Sequence, residues 1–190
     1  MITSQAPESR ERSLPDALSR LYFARFAFAI VWAALILGTG SDLGPVSGTL
    51  LVLYPVVDVA AAVVDLRSSR TTRSVVGLYA NIALSIATAI GLAVAVSSDV
   101  PAVLRVWGAW AIAAGVVQLV VAVGRRHLGG QVPMILSGGI SVLAGGAFVS
   151  MASADEPKVS SIGGYAVLGG LFFLVSALRL HHTGPDHEHR

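Results

Sequence analysis

The chain has 190 residues, of which 54% are apolar and 13% charged, with a formal net charge of +2 and no cysteine. A soluble domain carries about 25% charged residues, so this composition excludes an ordinary soluble domain. The missing cysteines exclude disulfides, thiolate metal sites and a cysteine nucleophile. Apolar stretches fill most of the length, which leaves room for one membrane-embedded unit with short connections.

The apolar stretches are six in number, and each has about the 17–25 residues that a helix needs to cross a bilayer core. They cover residues 21–37, 46–64, 75–96, 101–123, 132–151 and 160–178. This pattern predicts an all-α fold, a polytopic membrane bundle of six transmembrane helices. Residues 1–20 are expected to form a cytoplasmic N-terminal segment, 21–180 the membrane domain, and 181–190 a polar, histidine-rich cytoplasmic tail. Ser13 followed by Pro15 and Asp16 is typical of a helix N-cap, so the first helix is expected to begin before the membrane.

Charge alternates between successive connections. Arginines lie before the first span, between the second and third, between the fourth and fifth, and after the sixth, at Arg10, Arg12, Arg20, Arg67, Arg70, Arg73, Arg125, Arg126, Arg179 and Arg190. The other connections hold Asp42, Asp99, Asp155 and Glu156, with Lys158 as their only base. Because positive charge is retained on the cytoplasmic side during insertion, both termini are predicted to be cytoplasmic, with the chain in a cell inner membrane.

A threefold repeat with a period of about 56 residues underlies the six spans. Equivalent positions hold Arg25, Asn81 and Ser137 in the odd spans, and Tyr54, Trp110 and Tyr165 in the even spans. Each copy is a two-helix hairpin, over about 21–66, 75–124 and 132–180. Because each copy crosses the membrane twice, the copies share one orientation, unlike the inverted repeats of many transporters. The short connections within the first two copies predict that their helices are antiparallel neighbours.

Glycines recur seven residues apart, which returns to one helix face after two turns. The pairs are Gly108 and Gly115, Gly138 and Gly145, Gly139 and Gly146, and Gly163 and Gly170. Small residues on one face let helices approach closely in lipid. These faces are interpreted as packing grooves within the monomer, and the alternative is that some form an oligomer interface.

Four polar residues lie at one depth, roughly 8–10 Å inside the cytoplasmic ends of four spans. They are Arg25, Asp58, Asn81 and Gln118. An aspartate at mid-helix costs about 2.5–3.5 kcal/mol on insertion scales, so Asp58 is expected to face the bundle interior and to pair with Arg25. Such a cluster can be a structural ion pair or a proton- or solute-handling site, and Arg25 can instead extend to the headgroups. Asp65 is expected at a solvated helix end.

Three segments resemble a known family. They are residues 21–26 (LYFARF), 54–59 (YPVVDV) and 135–140 (ILSGGI), the last followed by Gly145 and Gly146. The repeat is similar to the HdeD-like acid-resistance membrane family, which typically shows an Arg-Gly pair in the first span and an Asp-Gly pair in the second. Arg25 and Asp58 match that pattern, whereas Phe26 and Val59 replace the glycines. The resemblance covers about residues 18–180 and implies a six-span inner-membrane protein linked to acid survival, with no established catalytic or transport mechanism.

No nucleotide-binding, metalloprotease or serine-hydrolase motif is present, and the basic residues form no nucleic-acid face. We therefore expect no enzyme activity, no cofactor, no metal and no nucleic-acid partner. The expected partners are the lipid bilayer and either a second copy or another membrane protein. The leading hypothesis is a stress- or acid-resistance membrane protein. The alternatives are a small transporter or channel through the polar layer, and a scaffold or oligomer subunit that packs through its glycine faces.

Overall fold

A computed structural model describes residues 8–40, 42–68, 75–128 and 131–182. Within these ranges the chain is all-helical, with α1 (Glu8–Gly38), α2 (Pro45–Ser68), α3 (Val75–Ala95), α4 (Val100–Gly124), α5 (Val132–Met151) and α6 (Ser161–His182). A single 3₁₀ turn follows α4 at Arg126–Leu128. All six helices contain a stretch long and apolar enough to cross a membrane. The predicted six-span fold is confirmed, and the chain is an integral membrane protein.

The helix ends lie within four residues of the ends of the apolar stretches except at the N-terminus. Helix α1 already begins at Glu8, so the N-cap predicted at Ser13 is wrong. Helix α4 is capped by Asp99, whose side chain accepts a hydrogen bond of 2.7 Å from the backbone nitrogen of Ala102. Arg70, Arg73 and the tail beyond His182 lie outside the described residues.

The six helices form a closed ring in chain order. Each helix packs against its neighbours in sequence, α6 returns to α1, and among the described residues no other pair of helices brings its backbones close together. The predicted neighbours α1 and α2, and α3 and α4, do touch, but the most extensive packing joins α4 to α5, α1 to α6 and α2 to α3. The three hairpins therefore close on one another. We call the end of the ring at the α2–α3 and α4–α5 connections the arginine side and the opposite end the acidic side.

Glycine allows the closest contact in the ring, between α4 and α5. A Cβ on Gly145 would lie 2.5 Å from the carbonyl oxygen of Gly108, and a Cβ on Gly115 would lie 2.6 Å from that of Gly138. These two helices therefore touch through their backbones, as the packing interpretation predicts.

Helix α6 uses glycine in the same way against α1. A Cβ on Gly163 would lie 2.9 Å from a methyl carbon of Ile36, and one on Gly170 would lie 3.2 Å from the Cβ of Ala29. The other face of α5 is different. Gly139 and Gly146 would meet nothing within 4 Å among the described residues, so the prediction that they pack within the monomer is wrong.

Large side chains fill the centre of the ring toward the acidic side. The Trp32 and Trp107 rings stack across it with centroids 5.6 Å apart, and both side chains are fully buried. Tyr54 meets the edge of Trp32 at 4.8 Å, and Trp110 meets Trp107 edge-on at 5.3 Å. The Trp32 indole nitrogen donates to the carbonyl of Leu50 at 2.7 Å. These four aromatic residues, Trp32, Tyr54, Trp107 and Trp110, form what we call the aromatic plug.

Candidate functional site

An ion pair inside the membrane domain joins the first two helices. The Arg25 guanidinium on α1 donates to Oδ1 of Asp58 on α2, and the two side chains are only 16% and 10% exposed. Asn81 Nδ2 and Ser85 Oγ on α3 each donate to Oδ2 of the same carboxylate at 2.8 Å. The predicted pair between Arg25 and Asp58 is therefore present. The buried carboxylate is balanced by one cation and two further hydrogen bonds, which is what a charge removed from water requires.

Ser85 is the member of this cluster that sequence analysis missed. It lies four residues after Asn81, one helical turn away, so both side chains lie on the same face of α3. That spacing is the signal that could have identified it. A serine in an apolar span is weak evidence by itself, because its hydroxyl can bond the carbonyl one turn earlier on its own helix.

Gln118 differs from the other three predicted residues. It lies on α4, and its Oε1 atom is buried without a hydrogen-bond partner among the described residues. Helix α3 separates α4 from α2 in the ring, and the donors from α1 and α3 already occupy the Asp58 carboxylate. The predicted layer of four therefore becomes a bonded cluster of Arg25, Asp58 and Asn81, with Gln118 apart from it.

A cavity of about 140 Å³ connects these groups at the centre of the ring. All six helices contribute to its wall. Its polar lining comes from Arg25, Tyr54, Asp58, Asn81, Trp110, Gln118, Ser137, Ser141 and Tyr165, and its apolar lining includes Phe28, Phe172 and Phe173. An apolar cavity of about this size stays dry, whereas polar walls that offer several partners can hold water. The cavity lies on the arginine side of the aromatic plug, and Tyr54 and Trp110 belong to both.

The threefold repeat explains how one cavity draws on all six helices. Every position that the repeat makes equivalent lines it: Arg25, Asn81 and Ser137 from the odd helices, and Tyr54, Trp110 and Tyr165 from the even helices. Since the helices form a ring, equivalent side chains converge on the ring axis. Tyr165 also donates to Ser141 Oγ at 2.9 Å, so the third copy supplies a neutral hydrogen bond where the first supplies an ion pair.

Toward the arginine side, Arg25 and Phe173 belong to the cavity wall and, with Tyr22, form what we name the Phe173 stack. The Arg25 guanidinium carbon lies 4.1 Å from the centroid of the Phe173 ring, and the Tyr22 ring stacks with that ring at 6.2 Å. Tyr22 also donates to Oδ2 of Asp65 at 3.5 Å. Asp65 is only 2% exposed, so the expectation of a solvated helix end there is wrong. The long helix α1 provides the reason, since it places Tyr22 against the end of α2.

Comparisons with protein-family models, with curated proteins and with solved structures find no match for this chain. The resemblance to the HdeD-like family therefore stays a prediction that depends on the sequence segments quoted above. What the fold and site define is a class: an integral membrane protein whose six helices close into a ring around a central cavity with both polar and apolar walls.

Proposed function

We propose that this chain is a non-enzymatic membrane protein that binds a small polar solute within the bilayer and carries it across. The observation that supports this proposal is the central cavity, which reaches the carboxylate of Asp58. A structural ion pair needs no adjoining space, and replacing a buried pair by apolar side chains is often neutral or stabilising. Ionisable residues inside a membrane span commonly mark a solute or proton pathway.

The two closures of the cavity suit a carrier better than an open channel. The aromatic plug separates the cavity from the acidic side, because Trp32 and Trp107 are 1% and 0% exposed. The Phe173 stack lies toward the other end, joined by a cation–π contact and an aromatic contact, and we propose that it forms the second closure. Passage of a solute would require each closure to open in turn. Side chains are easier to move than helices that touch through backbone atoms, so the two closures are the natural moving parts.

Liposome measurements test the proposal. The purified chain is reconstituted, and uptake of small solutes such as acetamide, acetate and glycerol is followed by light scattering, with a trapped pH dye for protons. We expect the wild-type protein to accelerate at least one flux over protein-free liposomes, and Asp58→Asn to change that flux. Asp42→Asn is the matched control, since Asp42 is exposed in the α1–α2 connection. Wild-type fluxes that equal the protein-free values for every solute and for protons would contradict the proposal.

A second candidate is the acid-stress protein that the sequence resemblance implies, acting as a barrier that limits proton entry. The observation that favours it is that the Asp58 carboxylate already accepts hydrogen bonds from three donors, Arg25, Asn81 and Ser85. In the same liposomes this candidate predicts no proton leak from the wild type and a leak from Trp32→Ala combined with Trp107→Ala. A proton leak through the wild-type protein would remove it.

A further inference from the structure

We infer that the cavity is selective for uncharged solutes of up to about six non-hydrogen atoms that form hydrogen bonds, such as small amides and polyols. This inference rests on the proposed solute-binding function and adds the class of solute to it. The size follows from the volume of about 140 Å³, because a cavity of about 150 Å³ accommodates one benzene molecule.

Charge selectivity follows from the wall of the cavity. Among the described residues, Arg25 and Asp58 are the only charged side chains in its lining, and they are bonded to each other. An ion entering the cavity would leave water without finding a free countercharge, unless it broke this pair. An anion would have to displace Asp58 from Arg25, and a cation would have to displace Arg25 from Asp58. A neutral solute can enter without breaking the ion pair between Arg25 and Asp58.

Hydrogen-bonding selectivity follows from two buried groups that lack partners. Trp110 is 9% exposed and lines the cavity, and its indole Nε1–H has no acceptor among the described residues. Gln118 also lines the cavity, and its buried Oε1 has no donor there. Buried polar groups are normally paired, so a solute that reached these two atoms after a small side-chain movement would supply the hydrogen bonds that they lack. Eight residues of α4 separate them, about 12 Å of helix rise, so they serve two positions along the cavity.

The other tryptophans provide internal references. Trp32 Nε1 is bonded to the carbonyl of Leu50 and does not line the cavity. Trp107 Nε1 lacks a partner among the described residues but lies outside the cavity lining, within the aromatic plug. The chain contains only these three tryptophans. A solute in the cavity should therefore affect the Trp110 indole far more than the other two.

Indole ¹⁵N–¹H NMR spectra of the full chain in detergent micelles test the inference. The three signals are assigned with single Trp→Phe variants, and the probes are acetamide, acetate and guanidinium, which are planar, similar in size and different in charge. We expect acetamide to shift the Trp110 signal saturably, with acetate and guanidinium without effect at the same concentrations. Gln118→Leu should leave the Trp110 shift in place, because a solute of this size bound at Trp110 does not reach Gln118.

The outcomes separate the inference from the proposed function. A saturable shift of Trp110 with acetate or guanidinium equal to that with acetamide overturns the charge selectivity, while solute binding itself stands. No shift with acetamide, or equal shifts of Trp32 and Trp110, overturns the inference. The liposome fluxes then decide independently whether the proposed function falls as well.

Discussion

The contact between α4 and α5 leads to a prediction about two adjacent glycines. Gly145 faces α4, whereas Gly146 would meet nothing within 4 Å among the described residues. We expect Gly145→Ala to destabilise the protein and Gly146→Ala to leave its packing unchanged. The two variants add the same methyl group to neighbouring positions of one helix, so each serves as the control for the other.

The magnitude follows from the distances. A Cβ on Gly145 would lie 2.5 Å from the Gly108 carbonyl oxygen and 2.8 Å from the Ile112 backbone nitrogen, where ordinary contact begins at 3.4 Å. Both neighbours are backbone atoms, so a rotamer change cannot relieve the clash and the helices must separate by nearly an ångström. Overpacking of this kind costs about 1–3 kcal/mol. Replacing glycine by alanine within a helix gains about 1 kcal/mol at either position. Gly145→Ala should therefore be about 1–3 kcal/mol less stable than Gly146→Ala.

Unfolding in mixed detergent micelles, titrated with a denaturing detergent and followed by circular dichroism, measures this difference. The unfolding midpoint of Gly145→Ala should fall below that of Gly146→Ala, and Gly146→Ala should unfold at or above the wild-type midpoint. Equal midpoints for the two variants would refute the direct backbone contact. A lower midpoint for Gly146→Ala alone would show that the outer face of α5 is the packed one, as in an oligomer.

Two further predictions concern the ion pair and the topology. Arg25→Ala leaves the 10%-exposed Asp58 carboxylate without its cation and should cost about 3 kcal/mol of unfolding free energy. The double variant Arg25→Ala with Asp58→Asn should lose less, and a loss equal to the sum of the single losses would argue against direct coupling. The absence of native cysteine allows clean labelling of exposed Asp155→Cys and Arg126→Cys. A membrane-impermeant maleimide applied to intact cells should label the former and reach the latter only after permeabilisation, and the reverse order would contradict the predicted cytoplasmic termini.

The helices and the ion pair could be predicted because polar groups inside a bilayer must find partners within the protein. Backbone groups inside a bilayer must bond within a helix, so an apolar stretch of sufficient length indicates a span, and α5 occupies the predicted residues 132–151. A carboxylate in a span needs a partner, which made Arg25 the expected neighbour of Asp58. The start of α1 at Glu8 gives no comparable signal, because residues outside the membrane follow no apolar pattern.

The closure of the ring could not be predicted from local features. Connection lengths indicate which helices are adjacent, but they do not show which pairs pack most closely, and α1 against α6 is a contact between opposite ends of the chain. Glycine spacing likewise does not show which helix, if any, packs against a given face. Gly138 and Gly145 contact α4, whereas Gly139 and Gly146 have the same period on the face of α5 that meets no other helix among the described residues. Periodicity identifies a face, and only the arrangement of the neighbouring helices decides what covers it.

The repeat also explains why space exists beside the ion pair. Asp58 lies four residues after Tyr54, and the equivalent positions after Trp110 and Tyr165 are Ala114 and Gly169, which both line the cavity. One copy therefore places a carboxylate near the ring axis, while the other two copies place almost no side chain there. Three aspartates at this level would repel one another, and three large apolar side chains would fill the centre as they do in the aromatic plug. The divergence of the copies at this position thus supplies both the charge and the volume of the cavity. Ala114→Leu should then fill the cavity and abolish solute flux in liposomes without breaking the Arg25–Asp58 pair, and unchanged flux in a folded Ala114→Leu protein would show that solutes take another route.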